Sequence, residues 1–129
     1  AYTNNNGVRQ RVYVNGKVDG SSTHDFTLNL SANVFIGSNT GSSQFWNGSI
    51  SEIVIYNKML TKAEIITIYN GKEPYNHKEG ICYDNLVAWY RMGDGLENHS
   101  GTTIFDMSVN SNNGTMVNMG SNNFIGNTP

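Results

Sequence analysis

The sequence predicts an all-β fold, an antiparallel β-sandwich or jelly roll of about eight short strands with one short helix. Twenty asparagines and fourteen glycines against two prolines favour tight turns, because Asn and Gly tolerate positive φ at little cost. Apolar residues recur at every second position in several short runs, the period of a half-buried strand. One such run is split by Asn15-Gly16, the strongest short-range signal for a two-residue hairpin turn.

The elements follow in order. Arg11 to Val18 alternates around Asn15-Gly16 and predicts two antiparallel strands. Phe26 to Leu30 places apolar residues at alternate positions, and Asn33 to Ser38 reads as a short strand ended by Gly37. Ile50 to Tyr56 predicts a longer strand, with Ile50, Glu52, Val54 and Tyr56 on one face. A helix is expected from Thr61 to Asn70: Thr61 caps it, Glu64 holds the reciprocal capping-box position, and Leu60 staples onto Ile65. Gly71 is the expected stop, and Ile65, Ile68 and Tyr69 form the stripe that docks the helix. Residues 71–85 lack either period and read as a linker. Beyond it, Leu86 to Met92, Thr102 to Asp106 and Gly114 to Met119 predict further strands.

A chain of 129 residues buries one modest core, so it holds one domain or pieces of two. Its net charge of −2 comes with no basic cluster, which argues against a nucleic-acid partner. No apolar run reaches the roughly 18 residues of a membrane span. The chain opens on Ala1 and a polar stretch, from which a missing or processed N-terminal segment is expected. Cys82 is the single cysteine and is expected to pack as a small apolar side chain. Sequons at Asn29, Asn47, Asn98 and Asn113 arise readily in so Asn- and Ser-rich a chain and carry little weight.

Val12-Tyr13-Val14-Asn15-Gly16-Lys17, Phe35-Ile36-Gly37, Trp46 to Asn57 and Leu60 to Ile65 together resemble the C-terminal half of laminin-G-like domains of the concanavalin A-like lectin/glucanase superfamily. Leu86 to Asp94, Asp106-Met107-Ser108 and Asn112 to Met116 resemble the opening strands of the same family. With the trailing Met119 to Pro129, the second segment is similar to parts of bacteriophage virion proteins. The resemblance implies a concanavalin A-like jelly-roll sandwich, incomplete or in permuted order, and a role in adhesion or architecture, often with a sugar-binding face. Ser51 stands where many relatives carry Asp, so no carboxylate role is expected there.

The chemistry of individual residues narrows the function. Retaining glucanases need two carboxylates about 5 Å apart, and Glu52 is followed by no partner carboxylate on its strand, so no enzyme activity is expected. No nucleophile elbow occurs, and His24, His77 and His99 read as polar loop residues. Calcium is the metal that suits Asp94 and Asp106, since hard cations choose oxygen ligands, although short Asp side chains more often satisfy local backbone N–H groups. Trp46, Trp89 and Tyr83 are the aromatic residues suited by type to a pyranose, and Arg91 shares the strand face of Trp89. For both tryptophans, packing is the competing role.

Domain limits are expected at 1–73 for the closing half, 74–85 for the linker and 86–129 for the opening half with its tail. The two halves are expected to share one apolar layer containing Ile36, Val54, Tyr90 and Ile104. The functional expectation is a non-enzymatic structural or adhesion segment of a virion protein, in a tail, fibre or capsid decoration. Its partners would be other virion subunits, copies of itself or a cell-surface glycan, with no nucleic acid, membrane or required cofactor. The alternative is a secreted bacterial carbohydrate-binding module, which the same fold permits.

Overall fold

The computed structural model describes residues 10–22, 33–70, 73–92, 99–119 and 123. These fall into two compact units. One draws on 10–22 and 56–86, the other on 33–55 and 87–123. Each is therefore built from two separated stretches of chain.

In the first unit, β1 (Gln10–Val14) and β2 (Lys17–Ser22) form an antiparallel hairpin. Asn15 and Gly16 take φ of 50° and 72°, the left-handed pair that matches the twist of a two-residue hairpin. The register shifts between Val12 and Tyr13, a bulge that lies outside any sequence signal. The helix α1 runs Lys62–Tyr69. Thr61 accepts the Glu64 N–H, and Glu64 Oε2 accepts the Thr61 N–H at 2.7 Å, completing the capping box. The left-handed stop is Asn70 itself, at φ 45°, one residue before the glycine expected to supply it. Ile65, Ile68 and Tyr69 are half-buried, and the Tyr69 ring lies against Gly16, 3.0 Å from where a Cβ would stand. The hairpin turn thus needs glycine both for its φ and for the helix docked on it.

The segment read as a linker is anchored. His77 and Cys82 are each 3% exposed, and a single 3-10 turn at Tyr83–Asn85 leads into the next strand. His77 was expected to be a polar loop residue; it stands in a loop but is buried.

In the second unit, β3 (Ile53–Tyr56) pairs with β4 (Leu86–Tyr90), with the ends Tyr56 and Leu86 counted in the first unit. A three-stranded antiparallel sheet follows the order β5 (His99–Ser100), β6 (Thr103–Ile104), β7 (Gly114–Thr115). The fold is thus mostly strands in small antiparallel sheets with one helix. Several strands are shorter than the periodicity predicts, because the backbone turns left-handed beside them. Glu52 sits at φ 53° and Met92 at φ 63°, breaking the extended backbone before β3 and after β4. No strand forms at 33–38, because Gly37 turns at φ 78° and its carbonyl accepts the Trp46 N–H at 2.7 Å. Phe26 to Leu30 and Gly93 to Asn98 lie outside the described residues. Both faces of β4 are covered, since Leu86, Ala88 and Trp89 are 6%, 2% and 4% exposed. Of the four residues expected in a shared layer, Val54, Tyr90 and Ile104 are half-buried, whereas Ile36 is exposed.

Candidate functional site

Three features of the second unit carry most of its polar and aromatic chemistry. The first joins the start of β3 to the end of β4. Glu52 takes a left-handed backbone, at φ 53°, and its own carboxylate accepts the Trp89 indole N–H at 2.8 Å. Its other oxygen lies 3.9 Å from Arg91 Nε, and the Arg91 guanidinium lies 5.4 Å from the Trp89 ring centroid. A left-handed non-glycine residue costs about 1–2 kcal/mol, so Glu52 and Met92 are held there by surrounding contacts. Trp89 and Arg91, proposed from sequence as ligand residues, are brought together, but the Trp89 ring is buried and offers no open stacking face. Glu52 was missed as their partner. The available signal was a lone carboxylate inside the apolar run Ile50 to Tyr56.

The second feature is the loop around Asp106, which is 8% exposed. Its carboxylate accepts N–H groups from Trp89, Ser108 and Asn112, at 2.8, 2.8 and 2.9 Å, and the Ser108 hydroxyl at 2.7 Å. The Val87 carbonyl accepts from Ser108 Oγ, Asn110 Nδ2 and Asn112 Nδ2, and the Tyr90 hydroxyl donates to the Asn112 carbonyl. Burial pushes the Asp106 carboxyl up, but the bonds from Ser108, Trp89 and Asn112 outweigh it and hold the group below its ordinary range. This carboxylate organises a turn. Asp94, its expected calcium partner, lies outside the described residues, and no group of three or more His, Cys, Asp or Glu is arranged to hold a metal among those described.

The third is the segment 33–48, which holds exposed aromatic residues. Phe45 and Trp46 are each 64% exposed and Phe35 is 46% exposed. The loop is closed by Trp46 N–H to Gly37 O and Asn39 N–H to Ser43 O, and Gly41 N–H donates to Ser38 Oγ at 2.9 Å. Phe35 lies against Gly41 and the Trp46 indole against Gly48, with Nε1 2.9 Å from a built Cβ. These glycines let the rings lie close against backbone. Trp46, the other tryptophan proposed from sequence, thus presents an open ring. Tyr83, the fourth proposed residue, stands in the first unit at 39% exposure.

The first unit holds a separate buried pair. Tyr56 Oη lies 2.6 Å from His77 Nδ1, and the Tyr75 ring meets His77 edge-on at 5.1 Å. Burial lowers His77 to about 4. Burial, then Cys82 and Tyr75, raise Tyr56 to about 12. Both groups are therefore neutral near neutral pH.

No curated protein and no solved structure matches the chain. A laminin-G family model described as the concanavalin A-like lectin/glucanases superfamily matches residues 1–66, just over half of the 129. The matched stretch contains the β1–β2 hairpin, the aromatic segment, β3 and most of α1, and on it the chain belongs to the concanavalin A-like lectin/glucanase superfamily.

Proposed function

We propose that this chain is a non-enzymatic adhesion segment that holds carbohydrate on the aromatic segment 33–48, within a jelly-roll sandwich of a virion protein. The observation that carries the glycan contact is the pair Phe45 and Trp46, each 64% exposed on a hydrogen-bonded loop. A pyranose offers apolar C–H patches ringed by hydroxyls, and an open aromatic face with neighbouring amides complements both. Asn39, Gln44 and Asn47 supply such amides in the same segment. A loop already closed by backbone bonds loses little further freedom when it binds. Residues 26–51 carry no charged side chain, which favours a neutral glycan over an anionic one.

The non-enzymatic reading is supported by Glu52, whose carboxylate is engaged by Trp89 and Arg91 instead of facing a second carboxylate about 5 Å away. The virion setting draws on the order of the closing-half and opening-half segments and on the exposed apolar residues Val12, Val14 and Val18 of the hairpin, which suit contact with further subunits. An array of neutral and anionic glycans tests the contact. Binding to neutral members that is lost in Trp46→Ala supports it; binding that survives Trp46→Ala, or none at all, removes it. Antibody against the chain separates the settings, since decoration of assembled particles supports a virion segment and recovery only as free secreted protein supports a carbohydrate-binding module.

A further inference from the structure

We infer that Asn47 is a self-modifying position, at which the backbone of the following glycine converts the side-chain amide to a carboxylate. The reaction needs only water. The Gly48 nitrogen adds to Asn47 Cγ, the side-chain nitrogen leaves as ammonia, and a five-membered imide remains. Water then opens the imide at either carbonyl, giving aspartate or isoaspartate. One water is consumed, one ammonia is released, and no group is oxidised or reduced. Glycine is the favourable successor because it has no side chain to hinder the attacking nitrogen.

The chain has Asn-Gly pairs at Asn6, Asn15, Asn47, Asn70 and Asn113, and the structure separates them. Attack requires rotation about the Asn Cα–C bond and a free glycine N–H, so hydrogen bonds on that stretch of backbone oppose it. Asn15 sits in the hairpin turn, between the ladder pair Val14 and Lys17 and with Tyr69 packed on Gly16. Asn70 is the left-handed cap of α1, its N–H bonded to Ile66 O and its carbonyl accepting the Glu73 N–H. Asn113 donates its N–H to Ser111 O and accepts the Asp106 N–H on Oδ1, while Gly114 lies in β7 opposite Ile104. Asn6 lies outside the described residues. Asn47 differs from the described three. It is exposed, it follows the Trp46-to-Gly37 bond that closes the loop, and neither it nor Gly48 makes a hydrogen bond among the described residues. The loop's hydrogen bonds stop at Trp46, and the Trp46 indole that lies against Gly48 leaves the glycine N–H unbonded.

The product changes the aromatic segment. A carboxylate appears at the residue after Trp46, in a stretch, 26–51, with no other charge, and the isoaspartate form lengthens the main chain by one methylene. This inference stands on the backbone alone and holds whether or not Trp46 meets a sugar.

The test is peptide mass mapping of the bacterially expressed chain after incubation in mildly alkaline buffer, folded and in denaturant. In the folded chain the Asn47 peptide is expected to exchange the mass of an amine for that of a hydroxyl about tenfold faster than the Asn15 and Asn113 peptides, the factor that breaking one or two restraining hydrogen bonds imposes. In denaturant the rates converge. Equal rates in the folded chain, or an Asn47 that stays an amide, overturn the inference. Asn47→Gln, whose ring closure is slower, should remove the main anionic species on ion exchange; its persistence also overturns it.

Discussion

Two tryptophans of one chain differ sixteen-fold in exposure, Trp89 at 4% and Trp46 at 64%, and that difference decides what each substitution does. Trp89→Ala removes a buried ring and leaves Glu52 without its indole donor, so it should cost about 3–5 kcal/mol in urea unfolding. Trp46→Ala should change stability by no more than about 0.5 kcal/mol while abolishing glycan binding. Neither fate was legible in the sequence, because both residues are aromatic neighbours of strands and only the partners of each ring tell them apart. His77 gives the clearest pH effect. Its native pKa of about 4 lies below the ordinary 6.5 because it is buried, and Tyr56, whose hydroxyl meets its Nδ1, is raised to about 12 and stays neutral across that window. The unfolded chain takes up a proton below about pH 6.5 and the native chain does not. Stability from this group is therefore fully present above pH 6.5 and falls as the pH drops toward 4, by about 3 kcal/mol in all. Urea unfolding at about pH 7, 5 and 4 should show that slope, and His77→Phe should flatten it; an unchanged slope in the variant would assign the acid sensitivity elsewhere.

Elements with local chemistry were legible, and elements set by tertiary bonds were not. Asn15-Gly16 placed the hairpin and the Thr61–Glu64 capping box placed α1, because each depends on residues within a few positions of one another. Strand ends depended on Glu52, Met92 and Gly37, whose positive φ values no alternation of apolar residues marks, and the Glu52 carboxylate is tied to Trp89, 37 residues on. In α1, Glu64 accepts from Lys58 at 2.7 Å and from the Thr61 N–H, which together hold its carboxyl at about 2. Thr61→Ala removes the reciprocal oxygen and should cost about 1 kcal/mol, read as a lowered urea midpoint with unchanged m-value. The Asp106 loop should be less tolerant. Asp106→Ala leaves the N–H groups of Trp89, Ser108 and Asn112 without their acceptor, and about 2 kcal/mol or more should be lost. Asp106→Asn keeps an acceptor oxygen and should retain part of that stability, an ordering that two unfolding curves decide.

At the scale of the whole molecule, the sequence reads as two family-like segments, of which the family model matches the first over residues 1–66, and the second compact unit draws on both stretches. The first unit takes residues from either side of 33–55, and the second pairs β3 with β4 across an intervening stretch of 29 residues, 57–85. What the sequence did not reveal is how unevenly the core is shared. The buried apolar residues among those described are Cys82, Leu86, Ala88, Trp89 and Met116, and all lie after residue 80. The described residues of 10–70 contribute half-buried faces and no fully buried apolar side chain. A chain ending at residue 70 therefore keeps the family-matched stretch, residues 1–66, yet loses every one of those residues, the strand that pairs β3, and the Trp89 donor to Glu52. Half-covered strands with open edges invite association. The 1–70 fragment should aggregate or lose protease resistance across 33–56, and co-expression with 74–129 should restore protection there. The reason is physical: among the described residues, every buried apolar side chain lies in the part of the chain that this fragment lacks. A 1–70 fragment that stays soluble, unfolds cooperatively and resists protease unaided would show that the family-matched stretch carries its own core, and the dependence argued from burial would be wrong.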